Sequence, residues 1–310
     1  MIGCGDASSA LGIPKVISTV ASGNTAPYVG ISDIVMIPAV VDVAGLNRIS
    51  RQVFTKAAAA VTAMAQAVHR DAQVTNIDRP IVCASMFGNT TRCVEHARGI
   101  MESNGYEVMT FHATGIGGRT MESLIAGGMI AGILDITTTE WADELVGGIL
   151  TAGQTRLEAA ARSGTPAIVV PGCLDMVNFG PRDSVPASFQ NRLLYQHNPQ
   201  ITLMRTTPDE CSQLGKILAQ KVNASIGPVS VLIPLRGISV ISARGGAFHD
   251  SVADAALFDA IRNNLRDDIE LIEIDAEIND PQFAVRCADQ LLALMQSELE
   301  SNISSEQART

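Results

Sequence analysis

An α/β fold, a doubly wound domain with a parallel sheet preceded by an incomplete layer, is predicted from this sequence, and three features carry the reading. Beyond residue 80, short apolar runs alternate regularly with helical patterns, as in a doubly wound domain. Three such runs end at small, hydroxyl-rich loops that open a helix: FGNTT (Phe87 to Thr91), ATGIGGRT (Ala113 to Thr120) and TTTE (Thr137 to Glu140). A length of 310 residues, 46% of them hydrophobic, supplies apolar area for two domains or one large one. In a parallel sheet these loops gather at the carboxyl edge, where free N–H groups and helix amino termini favour a phosphate or carboxylate. The first functional expectation is therefore an anion or nucleotide site.

The elements follow in order. Residues Lys15 to Val20 read as a strand, Ala21 to Gly30 as a Gly-rich loop, Ile34 to Val41 as a strand and Leu46 to Val68 as a helix. Two strands and one helix make an incomplete layer, since a parallel sheet needs both faces covered. The polar stretch Asp71 to Arg79 loses periodicity before Pro80 and reads as a linker. Further strands are expected at Ile81 to Ser85, Val108 to His112, Ala131 to Ile136, Ala167 to Val170, Ile201 to Met204, Val229 to Ile233 and Glu270 to Ile274. Helices are expected at Thr91 to Asn104, Thr120 to Ala126, Glu140 to Leu150, Pro208 to Ser225, Val252 to Leu265 and Pro281 to Glu298. The last places Phe283, Cys287, Leu291, Leu294 and Met295 on one stripe. The division is residues 1–76 for the remainder of a first domain, 77–300 for a complete second one and 301–310 for a polar, frayed tail.

Composition narrows the function classes. A formal net charge of −10 and 4% aromatic residues argue against nucleic acid as a partner. Six scattered cysteines without a CxxC pair read as reduced thiols of a cytoplasmic protein, and the histidine spacing suggests no metal site. No uninterrupted apolar run is long enough for a membrane span, and the start lacks a targeting pattern. A small-molecule ligand is the expected partner.

Several loops carry candidate chemistry. In FGNTT, Gly88 allows close ligand approach, while Asn89, Thr90 or Thr91 offers a helix cap. An ordinary capped turn would look the same. The loop is not of the GxxxxGK[ST] type, because no lysine follows it. In ATGIGGRT, Thr114, Gly115, Gly117 and Gly118 lie between strand and helix, with Arg119 as a cation and Glu122 in the first helical turn. Thr137, Thr138 and Thr139 set three hydroxyls beside Glu140. Asp135 sits in an apolar run, where a carboxylate needs a partner such as Arg119, or a ligand. Asp175 and Asn178 in PGCLDMVNFGP, His197 in the polar stretch after it, and Arg205 and Arg236 in later loops suit a polar, anionic substrate. The Gly-rich segment ARGGAFHD (Ala243 to Asp250) could cover a cleft as a lid.

Taken together these residues resemble a known family, the N-terminal ATP-binding domain of the tomato mosaic virus resistance protein and its bacterial relatives. The resemblance runs from VISTVASGNTAPYVGISDIVMIPAVVDVAGLN through FHATGIGGRTMESL, GILDITTTEWADELVGG, VPGCLDMVNFGP, YQHNPQITLMRTTPDE and VLIPLRGIS to EIDAEINDPQFA. It covers nearly the whole chain. It implies two Rossmann-like domains, binding of ATP with Mg²⁺, and a homo-oligomer such as a dimer; it implies no particular reaction and no catalytic residue. By motif position, the nucleotide or substrate contacts it implies fall in Gly88 to Thr91, Thr114 to Gly118 and Thr137 to Glu140. Members of the family carry a further block before VISTVASG with the first βαβ units. The first domain is thus expected to be completed by another polypeptide or oligomer partner, or to leave an exposed sheet edge.

Three functions compete at this level. The leading one is nucleotide binding by an enzyme or regulator, with phosphates held by backbone N–H groups and threonine hydroxyls. Without a phosphate-loop lysine, rapid ATP hydrolysis is disfavoured unless Arg119, Arg205 or Arg236 acts with Mg²⁺. The second is a hydrolase or lyase for a small carboxylated or phosphorylated metabolite, using Glu140, Asp175 or His197 as acid or base. The third is a non-catalytic interaction module stabilised by its nucleotide.

Overall fold

The computed structural model describes residues 13–19, 29–39, 45–71 and 79–307. Most of the Gly-rich loop expected at 21–30 and of the linker expected at 71–79 lies outside those residues, as do Cys4 and the last three residues of the tail. The chain divides into two compact units, Met1–Asp78 and Arg79–Thr310.

In the first unit, strands β1 (Lys15–Thr19) and β2 (Ile34–Pro38) pair in parallel, with Lys15 opposite Ile34. Helix α1 (Arg48–Asp71) packs on both. No residue of either strand is buried, in keeping with a two-stranded layer.

The second unit is a six-stranded parallel sheet. Its strands are β3 (Ile81–Met86), β4 (Glu107–His112), β5 (Gly132–Thr137), β6 (Ala167–Gly172), β10 (Val229–Pro234) and β11 (Glu270–Ile274), in the spatial order β4-β3-β5-β6-β10-β11. The central strands are apolar on both faces, which requires helices on both sides. Cys83, Ile133, Val169 and Val231 point into one core, with α3 (Ile116–Ala126), α6 (Pro208–Asn223) and α7 (Ser251–Asn264). Their neighbours Val82, Leu134, Ile168 and Leu232 point into the other, with α2 (Thr91–Ser103) and α8 (Pro281–Gln307). On α8 the stripe Phe283, Cys287, Leu291 and Met295 is buried and Leu294 packs beside it. That helix continues through Ser301 to Gln307. The five described cysteines are buried and free.

Three local differences from the sequence expectation have physical causes. Ile201–Arg205 is a strand, β9, but it pairs antiparallel with β7 (Met176–Phe179) and β8 (Leu194–Asn198) in a separate three-stranded sheet. An apolar run does not reveal which sheet it joins. Helix α3 begins at Ile116 rather than Thr120, because the Glu140 carboxylate accepts from the N–H groups of Gly115 and Gly118 at its start. Helix α4 (Glu140–Val146) stops short of Leu150, at Gly147 with φ 97°. Short helix α5 (Glu158–Ser163) follows.

Helix α6 has the strongest start signal in the chain. Thr207 accepts a hydrogen bond from Glu210 N at 3.2 Å, the Glu210 carboxylate accepts from Thr207 N at 2.7 Å, and Pro208 opens the helix. Replacing Thr207 by Ala is expected to lower stability by about 1 kcal/mol. Urea unfolding would read this as a lower midpoint at unchanged slope.

Candidate functional site

Every parallel strand delivers its chain to the same carboxyl edge. The strand order reverses between β3, whose helix leads outward to β4, and β5, which starts the run toward β11. Crevices for ligands open at such a reversal. FGNTT leaves β3 and TTTE leaves β5, so these two loops flank it. They are joined directly, since Thr90 Oγ1 and Thr137 Oγ1 lie 2.7 Å apart.

A buried charge network lies beside this junction. The guanidinium of Arg156, 1% exposed, donates to both oxygens of Asp135 at 2.6 Å, to Glu140 Oε2 at 2.7 Å, to Glu122 Oε1 at 3.2 Å and to Thr137 O at 3.3 Å. Burial alone would pull its pKa down, but the carboxylates of Asp135, Glu140 and Glu122 hold it well above its ordinary value. Burial raises the Glu122 carboxyl and Arg156 opposes the rise. The partner of Asp135 is thus Arg156 and not Arg119, which is exposed. Glu122 lies within α3 rather than in its first turn, and accepts from Leu157 N at 2.7 Å and Ala159 N at 2.8 Å, capping α5. The groove of about 430 Å³ between α3 and α5 is lined in part by Glu122 and Glu158, which hold Arg156, Arg162 and Lys221.

Glu140 links this network to the Gly-rich loop. Its Oε1 accepts from Gly115 N at 2.7 Å and Gly118 N at 3.1 Å, so an internal carboxylate lies at the amino terminus of α3. A Cβ at Gly118 would strike that carboxylate, and Gly115 has φ 83°. Gly117 abuts His112 O, and Thr114 is exposed with its hydroxyl on His112 O at 3.3 Å. The Glu140 carboxylate thus occupies the N–H groups of Gly115 and Gly118, and Gly117 is required by the close approach of His112 O.

The amino terminus of α2 differs. Its N-cap, Thr90, makes no side-chain cap, and its first turn contains no acid. Cys93 N donates to Asn279 Oδ1 at 3.2 Å, while the N–H groups of Gly88, Asn89, Thr91 and Arg92 have no acceptor among the described residues. The Thr91 hydroxyl turns back to Phe87 O at 3.2 Å. Gly88 is exposed, and a Cβ there would meet nothing within 4 Å. Arg92 in the first turn is exposed and has no ion-pair partner among the described residues.

The small antiparallel sheet reaches both loops through Met176. Asn89 Nδ2 lies 3.7 Å from Met176 Sδ, and Thr139 Oγ1 donates to Met176 O at 3.4 Å. Thr138 Oγ1 donates to Val170 O at 3.0 Å. Asp175, adjacent to Met176, is fully buried and accepts from Ser239 Oγ at 2.8 Å. Asn178 lies further along β7 and donates through Nδ2 to Asp143 Oδ2 at 2.7 Å. Arg205 is buried and directed elsewhere, to Asp254 Oδ1 at 2.6 Å and Phe248 O at 2.8 Å. His197 is exposed on β8, and Arg236 is exposed and paired with Asp275. The structure therefore brings together Asn89, Thr90, Thr137, Thr139 and Asp175, while His197 and Arg236 lie outside this cluster. Sequence reasoning missed Arg156, Asp143, Ser239 and Asn279. Only the buried Asp135 signalled that a cation had to be near. Among the described residues no group of three or more His, Cys, Asp or Glu is placed to hold a metal ion, and no helix is long and apolar enough to cross a membrane.

Residues 79–295 match the model described as the C-terminal domain of uncharacterised protein family UPF0261, and residues 7–70 match that family's N-terminal domain. A UPF0261 protein of Clostridium tetani is 47% identical over 288 residues, covering 92% of this chain and 70% of the relative. One of Rhizobium meliloti is 48% identical over 277 residues, covering 88% and 68%. The ToMV resistance protein Tm-1(GCR237) of Solanum lycopersicum is 41% identical over 292 residues, covering 92% of this chain and 38% of that protein. The tomato ToMV susceptible protein tm-1(GCR26) matches at the same identity and coverage, so likeness to the pair does not separate resistance from susceptibility. The chain belongs to the UPF0261 family.

Two predictions concern the buried charges. Arg156→Met leaves the Asp135 and Glu140 carboxylates buried without a countercharge, and a loss of about 3–5 kcal/mol is expected in urea unfolding. Burial pushes the Asp143 carboxyl up to about 7, against hydrogen bonds from Asn178 and Leu150. A raised carboxyl pKa means that the folded protein keeps a proton the unfolded chain has released. This contribution is present at acid pH and is lost as pH rises from the ordinary carboxylate range to about 7. Asp143→Asn should flatten that decline, measured as melting temperature against pH.

Proposed function

We propose that this chain, as a member of the UPF0261 family, binds a phosphorylated small molecule at the amino terminus of α2. ATP is the ligand favoured by its family resemblance. The observation that carries this reading is the unbalanced positive end of α2. Free N–H groups at Gly88, Thr91 and Arg92 coincide with the helix dipole, an exposed arginine, an open glycine and the absence of a first-turn acid. An arginine in a first turn is unfavourable unless an anion faces it. The amino terminus of α3, in contrast, already faces Glu140.

The residues present fit a phosphate group: backbone donors in sequence, a cation beside them, and no side chain on Gly88 to obstruct approach. In this reading the N–H groups of Gly88, Thr91 and Arg92 hold phosphate oxygens and the Arg92 guanidinium offsets their charge. Mg²⁺ would be carried on the nucleotide's phosphates and not by a protein carboxylate cage. No reaction follows from these contacts.

Arg92→Glu separates binding from folding. An acid in the first turn suits the helix dipole, so the unliganded melting temperature should be unchanged or slightly higher. The ATP–Mg²⁺ titration should show affinity reduced by about tenfold or more, as for a lost charge-assisted contact. An undiminished ATP-induced thermal shift in Arg92→Glu would contradict the assignment.

A further inference from the structure

The groove between α3 and α5 lies on the sheet face opposite α2. Its volume of about 430 Å³ is in the range of small-ligand clefts. Glu122, Ser123 and Ala126 line it from α3, and Thr155, Glu158 and Arg162 from the start and flank of α5. The hydroxyls of Ser123 and Thr155 have no partner among the described residues. The Arg162 guanidinium engages Glu158 through Nη2, and its remaining donors are open to solvent.

Glu122 supplies the opposite charge. The buried network sets three carboxylates, Asp135, Glu140 and Glu122, around the single guanidinium of Arg156, so negative charge is in excess there. Of these side chains Glu122 is the one that reaches solvent, 15% exposed against 4% or less for the others, and it does so in the groove. Its Oε1 accepts from Leu157 N and Arg156, whereas Oε2 accepts only from Ala159 N at 2.8 Å and keeps a lone pair unused. Burial raises this carboxyl, and a cation in the groove relieves that cost. The backbone beside it is strained. Leu157, at φ 72°, is one of two described non-glycine residues at positive φ, and its N–H is held by Glu122.

Ala159 and Arg162 are neighbours on the surface of α5, separated by about 5 Å along its axis. An unused carboxylate lone pair and free guanidinium donors therefore stand about one helical turn apart in one groove, with hydroxyls beside them. That pattern matches a molecule carrying an ammonium group and a carboxylate on one carbon. We propose that this groove binds a free α-amino acid, its ammonium donating to Glu122 Oε2 and its carboxylate accepting from Arg162. The side chain of the amino acid rests against Ala126 and the hydroxyls of Ser123 and Thr155. The site shares no residue with the α2 amino terminus and stands independently of that reading.

The test is isothermal titration calorimetry of the full chain with the ordinary L-α-amino acids, one at a time. The tightest binder is then compared with the amine and the carboxylic acid that each lack one of its two charged groups. At least one amino acid should bind saturably, and each single-charge analogue should bind about tenfold or more weakly. Two variants change exposed positions and leave the buried network intact: Ala126→Phe fills the groove, and Arg162→Ala removes the carboxylate anchor. The first should abolish amino-acid binding and the second should weaken it by about tenfold, with urea midpoints close to wild type. ATP–Mg²⁺ titrations should be the same in both variants as in wild type. Saturable binding by no amino acid, binding that survives Ala126→Phe, or an amine that binds as tightly as its parent amino acid overturns the proposal.

Discussion

The guanidinium of Arg156 is the constraint on which the carboxyl edge depends. A cation buried beneath the ends of parallel strands must have its donors satisfied, and here the acceptors come from β5, α3 and α4. Each carboxylate it holds performs a second task. Asp135 accepts from Ser85 Oγ and so joins β5 to β3; Glu140 caps α3 through Gly115 and Gly118; Glu122 caps α5 through Leu157 and Ala159. One buried positive charge thereby sets the positions of two helix starts and the switch-point strands.

This constraint divides the anion-binding capacity of the edge. At α3 an internal carboxylate faces the helix dipole. At α2 nothing negative among the described residues does, and Arg92 adds to the positive end. The same loop is nevertheless firmly built. Thr90 bonds to Phe87 and Thr137, and Asn279 reaches from beyond β11 to both Cys93 N and Asn89 O. Rigid support around unsatisfied donors is the arrangement expected of a preorganised binding loop rather than of a frayed helix end.

Much of the parallel core was legible in the sequence, because buried strands alternating with amphipathic helices leave a strong pattern. Strands β3, β4, β5, β6, β10 and β11 and the stripe on α8 follow directly from it. The small sheet was hidden for two reasons. Its middle strand looks like any apolar run, and β8, Leu194–Asn198, is polar and largely exposed. At the site, hydroxyl-rich loops and Asp135 could be recognised. The partner of Asp135 could not, since Arg156 lies in TAGQTRLEAAARSG, a segment with no local sign of burial. The GxGG glycines were visible, but their meaning depends on Glu140, brought there only by folding. Pairings of this kind are set by tertiary geometry, which local periodicity does not encode.

The central claim is that α2, and not α3, presents its amino terminus to an anion. Amide resonances of the ¹⁵N-labelled protein, followed during an ATP–Mg²⁺ titration, test it most directly. The account predicts saturable shifts at Gly88, Thr91 and Arg92, with Gly115 and Gly118 unmoved because Glu140 continues to hold them. Shifts concentrated at Gly115 and Gly118, with Gly88 to Arg92 unchanged, would mean that ligand displaces Glu140 and would contradict it.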